Sequence, residues 1–175
     1  MLKLRKFKNR DADTVASWLK DEYTFNLWSA GKYNRFPISG DDISDYYAKN
    51  KNLTAYIAYE SGIASENDSE ELVGHFMINC ENQPSKTALL GCIIINPGKR
   101  GCGYGKEMLL LAVKMIFESG EINSIRINVF DHNKSAIACY SACGFKMMTN
   151  YTVSEFLCMN EKWRLIGMEL SKPEI

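Results

Sequence analysis

The sequence predicts one α/β domain built on a mixed β-sheet, in the order β-α-α-β-β-β-α-β-α-β-β. Three observations carry that reading. Short apolar or alternating runs take turns with segments whose apolar residues recur at helical spacing. The run TALLGCIII (87–95) is apolar throughout, as expected of a strand buried on both faces, and a glycine-rich loop and a helical pattern follow it at once. The 175 residues contain no internal repeat and no linker, which fits a single domain with a sizeable core.

Along the chain, Leu2 and Leu4 alternate with Lys3 and Arg5 and read as a strand over 2–7. DADTVASWLKDEY follows as a helix, with Asp11 as N-cap and Val15, Trp18 and Leu19 on one face. A loop rich in aromatics is expected next, containing Tyr23, Phe25, Trp28, Tyr33 and Phe36. Ser39 and Asp42 have capping-box spacing at the start of a second helix. LTAYIAY (53–59) and LVGHFMINC (72–80) read as strands of a hairpin across a polar, acidic loop. After the strand 87–95, Met108, Ala112, Met115 and Ile116 mark a helix closed near Gly120. SIRINVF (124–130) is a strand, which makes 87–130 a right-handed parallel crossover. NKSAIACYSAC (133–143) is a helix ended by Gly144, and FKMMTNYTV (145–153) and WRLIGMEL (163–170) are the last strands.

Bulk properties exclude several classes of function. Lys plus Arg equals Asp plus Glu, 21 each, so no global field draws the chain to nucleic acid or anionic lipid. An RNA-binding domain is further disfavoured by the lack of a paired aromatic strand motif. The basic start lacks the apolar run of a signal peptide, and no stretch approaches a membrane span, so a cytoplasmic protein away from membranes is expected. The six cysteines (Cys80, Cys92, Cys102, Cys139, Cys143 and Cys158) contain no CxxC pair and no zinc-ligand spacing around the two histidines, His75 and His132. They are expected to be reduced, mostly buried thiols, with no metal site.

The chemistry points to NPGKRGCGYGK (96–106), where four glycines and three basic residues precede a helix. The first amides of a helix lack intrahelical partners and lie at the positive end of its dipole, which suits a phosphate. Each hydrogen bond to a charged group is worth about 1.5–3 kcal/mol. Lys99, Arg100 and Lys106 add positive charge. The spacing is not that of a P-loop, because the position five before Gly105 is Arg100 and the residue after Lys106 is Glu107. Nor is it the dinucleotide fingerprint, since Gly101, Gly103 and Gly105 stand as GxGxG. What remains is R-x-x-G-x-G, from Arg100, Gly103 and Gly105.

In this pattern the chain resembles the GCN5-related N-acetyltransferase (GNAT) family, which wraps the pyrophosphate of acetyl-CoA with [QR]-x-x-G-x-[GA] after its fourth strand. CIIINPGKRGCGYGKEML is similar to that strand, loop and helix, and NVFDHNKSAIACYSACGF to the later strand–helix–strand. LWSAGKYNRFPIS resembles the helix-1/helix-2 loop of ribosomal-protein-acetyltransferase-like members. The likeness spans essentially the whole chain and implies a single N-acetyltransferase domain over 1–175, with acetyl-CoA as co-substrate and room for a homodimer.

The resemblance carries roles onto matching residues. Arg100, Gly101, Cys102, Gly103, Tyr104, Gly105 and Lys106 would hold the pyrophosphate, largely through backbone. Ile93, Ile94 and Ile95 would offer main-chain groups to the pantetheine arm while their side chains stay in the core, with an amide near Ile94 supporting the thioester oxygen. Asn133 is an N-cap by residue type and would also contact the pantetheine region. Tyr140 follows seven residues later on the same helical face. It would act as general acid to the departing CoA thiolate, although a helical tyrosine also serves packing. Trp28, Tyr33 and Phe36 are the expected acceptor pocket, or alternatively a satellite hydrophobic cluster.

Many family members carry a glutamate on the fourth or fifth strand, yet TALLGCIII and SIRINVF contain no carboxylate. His75, Asp131, His132, a water chain or an α-amine acceptor remain as routes for the proton, and no base is assigned. The implied activity is acetyl transfer from acetyl-CoA to a primary amine, of a small molecule or a protein N-terminus. The alternative is an acyl-CoA-binding domain without turnover.

Overall fold

Strand pairing in the computed structural model, which describes residues 1–61, 70–80, 86–149 and 154–173, builds one eight-stranded sheet. β1 (Leu2–Lys6), β2 (Leu53–Ser61), β3 (Glu70–Cys80) and β4 (Thr87–Ile95) pair in sequence, each antiparallel to the next. β4 is parallel to β5 (Ser124–Phe130), the expected crossover, and β5 is antiparallel to β8 (Glu161–Ser171). β6 (Lys146–Met147) and β7 (Ser154–Cys158) both pair with β8.

Helices cover both faces. α4 (Tyr104–Glu118) and α5 (Lys134–Ala142) pack Met108, Leu109, Ala112, Ile116 and Tyr140 against Leu90, Ile125 and Ile127. On the other face, α1 (Ala12–Ser17), α2 (Glu22–Ser29) and α3 (Gly40–Lys49) pack Val15, Phe25, Trp28 and Ile43 against Ile57, Met77 and Ile94. The Ser39–Asp42 capping box forms as expected, the Ser39 amide donating to Asp42 Oδ2 at 2.8 Å and the Asp42 amide to Ser39 Oγ at 3.3 Å.

The mixed α/β class stands, with four departures in detail. Asp11 does not cap α1 with its side chain. Its carboxylate takes two bonds from the Arg5 guanidinium, at 2.7 and 2.8 Å, and one from the Lys8 amide, at 2.7 Å. The expected aromatic loop begins instead as α2, capped by Asp21 Oδ1 accepting from the Thr24 amide and burying Phe25, Trp28 and Ser29 on one stripe. Of the strand expected over 145–153, only Lys146–Met147 is paired among the described residues, and 150–153 lie outside them. β7 is an additional strand, joined to β8 by a two-residue turn in which Met159 and Asn160 both have positive φ. All six cysteines are free; Cys92 and Cys143 are buried, Cys139 and Cys158 half-buried, and Cys80 and Cys102 exposed, so fewer are buried than expected.

β4 carries the feature that shapes the site. His75 pairs with Ile94 but Met77 with Gly91, so Cys92 and Ile93 together oppose Phe76 in a β-bulge. One extra residue exchanges the faces of a strand. Ala88 and Leu90 accordingly pack under α4, whereas Cys92 and Ile94 pack under α2.

Candidate active site

The glycine loop leads into α4. Gly101 and Gly103 hold φ of +79° and +83°, and a Cβ on either would meet no protein atom within 4 Å. Glu107 is the first amide bonded within the helix, to the Gly103 carbonyl at 3.1 Å. The amides of Tyr104, Gly105 and Lys106 therefore precede the intrahelical ladder and face open space at the positive end of a fifteen-residue helix. Arg100 and Lys106 have no carboxylate within 4 Å among the described residues. Lys99 pairs with Glu71 at 2.8 Å and with Glu60 at 3.6 Å. Tyr104 donates to Glu60 Oε2 at 2.8 Å, so its phenol is engaged away from the loop and only its backbone is offered.

Behind the loop the sheet opens. β4 and β5 pair only from Thr87↔Ser124 to Leu90↔Ile127, after which β5 continues along β8 alone. A cleft of about 1040 Å³ runs through this gap, lined by Ile93, Ile95, Arg100, Gly103 and Lys106 on the loop side. The Asn96 amide donates to the Val73 carbonyl, so alternation turns the main-chain groups of Ile94 toward β3 and those of Ile93 and Ile95 toward the gap. Consistently, Arg100 Nε reaches the Ile95 carbonyl at 3.4 Å. The three side chains are partly or fully buried, as expected.

α5 forms the opposite wall. Asn133 Oδ1 caps it, accepting from the Ala136 amide at 3.3 Å, and both Asn133 and Tyr140 line the cleft, as their shared helical face requires. Tyr140 is 7% exposed, and burial pushes its phenol pKa up, so it is protonated at neutral pH.

Beyond the gap, Tyr23, Leu27 and Trp28 of α2, with Lys32, His132 and Phe156, line the other end of the same cleft. The architecture thus joins an anion cradle to an aromatic chamber through a gap between parallel strands. A family model described as "Acetyltransferase (GNAT) domain" matches residues 1–146. The chain belongs to the GNAT acetyltransferases.

Solved structures agree on the fold. This GNAT domain is similar to spermidine N-acetyltransferase from Vibrio cholerae in complex with CoA and spermine. The TM-score is 0.77 at 20% identity, over 97% of this chain and 95% of that one. It is also similar to a protein described as a candidate phosphinothricin N-acetyltransferase, with a TM-score of 0.73 at 19% identity, over 99% of this chain and all of that one. As a GNAT member the chain is an acetyl-CoA-dependent N-acetyltransferase that moves an acetyl group to an amine, with acetyl-CoA as co-substrate. Its open cradle of glycines, helix amides and unpaired cations fits that co-substrate's pyrophosphate.

The three aromatics expected either as an acceptor pocket or as a satellite cluster separate in this GNAT domain. Trp28 lines the cleft, but Tyr33 and Phe36 do not. Tyr33 stacks on Trp28 at 5.3 Å, and Phe36 packs on Phe25 at 5.5 Å, because α2 turns its aromatic stripe inward. Tyr23 and Leu27 stand in their place, four residues apart on the open side of α2. Their helical spacing was the available signal, hidden once that segment was read as a loop. Phe156 comes from the unforeseen β7.

The two histidines separate cleanly. His75 is fully buried, both ring nitrogens are engaged, and burial pushes its pKa down to about 4. It does not line the cleft. His132 does, with Nδ1 3.5 Å from Asp131 Oδ1 and its ring 4.6 Å from that of Trp163.

Proposed function

We propose that the chain transfers the acetyl group of acetyl-CoA directly to a primary amine, of a small molecule or a protein N-terminus, in the gap between β4 and β5. The observation that supports this most is the parting of the strands after Leu90↔Ile127, which joins the cradle at α4 to the chamber at Trp28 in one cleft. Bound acetyl-CoA supplies a thioester whose carbonyl the amine attacks and whose thiolate departs.

Each role except that of base falls to a group of this chain, and the proton that the amine loses goes to water. The backbone of Gly101, Cys102 and Gly103 and the amides of Tyr104, Gly105 and Lys106 hold the pyrophosphate, with Arg100 and Lys106 balancing its charge. Ile93 and Ile95 extend main-chain hydrogen bonds along the pantetheine arm. The amide that supports the thioester oxygen is that of Ile93, since Ile94 is turned toward β3. Asn133 spends its carbonyl oxygen on capping α5, which leaves its Nδ2 for the pantetheine region. Tyr140, held protonated by burial, donates to the departing sulfur. Trp28, with Tyr23, Leu27 and Phe156, forms the walls that receive the amine. The fold shared with the spermidine enzyme makes aliphatic primary amines the first acceptors to test, followed by N-terminal peptides.

Release of free thiol from acetyl-CoA across an amine and peptide panel tests the reading. The expected result is amine-dependent release that Tyr140→Phe lowers about 100-fold, as loss of a general acid does. Affinity for acetyl-CoA should stay within about two-fold of wild type, because the phenol contributes to the departing sulfur rather than to binding. Wild-type turnover in Tyr140→Phe would remove the phenol from the mechanism.

A further inference from the structure

The bulge in β4 holds Cys92 at φ +48°, a left-handed conformation for a residue with a side chain. Such a residue costs on the order of 1–3 kcal/mol and persists only where its surroundings over-determine it. Here the over-determination is visible. The Cys92 carbonyl accepts two side-chain hydrogen bonds, from Trp28 Nε1 at 2.8 Å and from His75 Nδ1 at 3.0 Å. All three residues are buried, His75 entirely.

The hydrogen-bond partners also fix the histidine's tautomer. A carbonyl can only accept, so Nδ1 carries the proton. Nε2 of the neutral ring is then an acceptor, and the Tyr47 hydroxyl donates to it at 3.1 Å. The relay runs from α3 through β3 to the bulge: Tyr47 O–H to His75, and His75 N–H to Cys92. Its end point is the residue immediately before Ile93.

We propose that His75, with Trp28 beside it, is a positioning residue for acetyl transfer: by holding the Cys92 carbonyl back into the protein it keeps the bulge formed and the Ile93 amide aimed into the gap at the thioester oxygen. His75 touches neither substrate nor reacting atoms. This inference rests on the acetyltransferase reading and adds to it a residue, His75, that lies behind the cleft wall.

Positional isosteres test it. His75→Asn places an amide N–H where Nδ1 stands, whereas His75→Gln places its amide nearer Nε2 and leaves the Cys92 carbonyl without that donor. Trp28→Phe keeps an aromatic ring and removes the second donor. Four quantities are compared in each variant: kcat and KM for acetyl-CoA with an accepted amine, CoA affinity by calorimetry, and the infrared carbonyl stretch of bound acetyl-CoA labelled at the carbonyl carbon. His75→Asn should keep kcat within about three-fold of wild type and retain the lowered carbonyl frequency of a hydrogen-bonded thioester. His75→Gln should lose about 10- to 100-fold in kcat, toward the scale of a lost oxyanion donor. Its KM and CoA affinity should stay within about two-fold, and its carbonyl frequency should rise. Trp28→Phe should raise the carbonyl frequency the same way; since Trp28 also walls the acceptor chamber, the frequency read without amine is its decisive measurement, and it keeps the test valid if a histidine variant fails to fold. Equal kcat and equal carbonyl frequency in Asn and Gln variants, or losses that only follow CoA affinity and melting temperature, would overturn the proposal. A wild-type protein that bound CoA but acetylated no amine would instead overturn the reading beneath it, while the carbonyl frequencies would still judge the bulge.

Discussion

Gly103 shows how a single position divides fold from function. A side chain there must adopt φ +83°, yet it would meet no protein atom within 4 Å. The strain is on the order of 1–2 kcal/mol for a branched residue, which lowers the melting temperature of a chain this size by roughly 2–8 °C. The new atoms would stand in the space before the α4 amides. Gly103→Val is therefore expected to fold and to lose CoA binding at least about 50-fold by calorimetry; retained affinity would place the pyrophosphate elsewhere. His75 gives a second residue-scale expectation, concerning pH. Its pKa is about 4 when folded, below the ordinary value of 6.5, because burial lowers it more than the bond to the Cys92 carbonyl and then the Asp11 carboxylate raise it. The unfolded chain thus takes up the proton first. Stability is fully present above pH 6.5 and declines as pH falls from 6.5 toward 4, by roughly 3 kcal/mol. Denaturant melts at pH 7 and pH 4.5 should show this loss, and His75→Asn should show less of it.

Among the elements, α2 was the least legible and contributes most to the aromatic end of the cleft. Its eight residues are rich in aromatics and weak in intrinsic helix preference, so burial of Phe25 and Trp28 stabilises it more than local sequence does. Besides the spacing of Tyr23 and Leu27, the local signal was Asp21 three residues before Thr24. Asp21→Ala should cost about 1 kcal/mol and raise KM for the amine more than KM for acetyl-CoA, because α2 carries Tyr23, Leu27 and Trp28. β4, in contrast, declared itself as a strand by its apolar run, but the bulge inside it did not. A bulge is written in pairing with β3, and its one mark in the sequence was Gly91, an isolated glycine inside a strand pattern. β7 was missed for a similar reason: SEFLC has little alternation, and its turn holds Met159 and Asn160 at φ +52° and +63° instead of the Asn-Gly pair that announces such hairpins. Replacing Met159 and Asn160 by Asn and Gly, which take left-handed positions with less strain, should stabilise the chain by about 1 kcal/mol in thermal melts with activity unchanged.

At the scale of the molecule, the donor half of the site was readable because its chemistry requires special letters. Backbone that must approach a pyrophosphate needs glycines at fixed spacing, and Arg100, Gly103 and Gly105 display that spacing in the chain itself. The proposed acceptor half is assembled from α2, β7 and the stretch after β5, distant segments whose aromatics look like core until the fold brings Tyr23, Trp28, His132 and Phe156 around one chamber. Sheet topology is what joins the halves: the parallel pair β4–β5 parts after four residue pairs and opens a passage between the two helical layers. The central claim is that this passage is where an acetyl group moves from acetyl-CoA to an amine. It is tested most directly by thiol release from acetyl-CoA over a panel of primary amines and N-terminal peptides, with wild type and Gly103→Val side by side. The account predicts that at least one amine accelerates release in the wild type, with one acetylated amine formed per thiol, and that none does so in the variant. CoA binding without amine-stimulated release in the wild type, or equal release by both proteins, would contradict it.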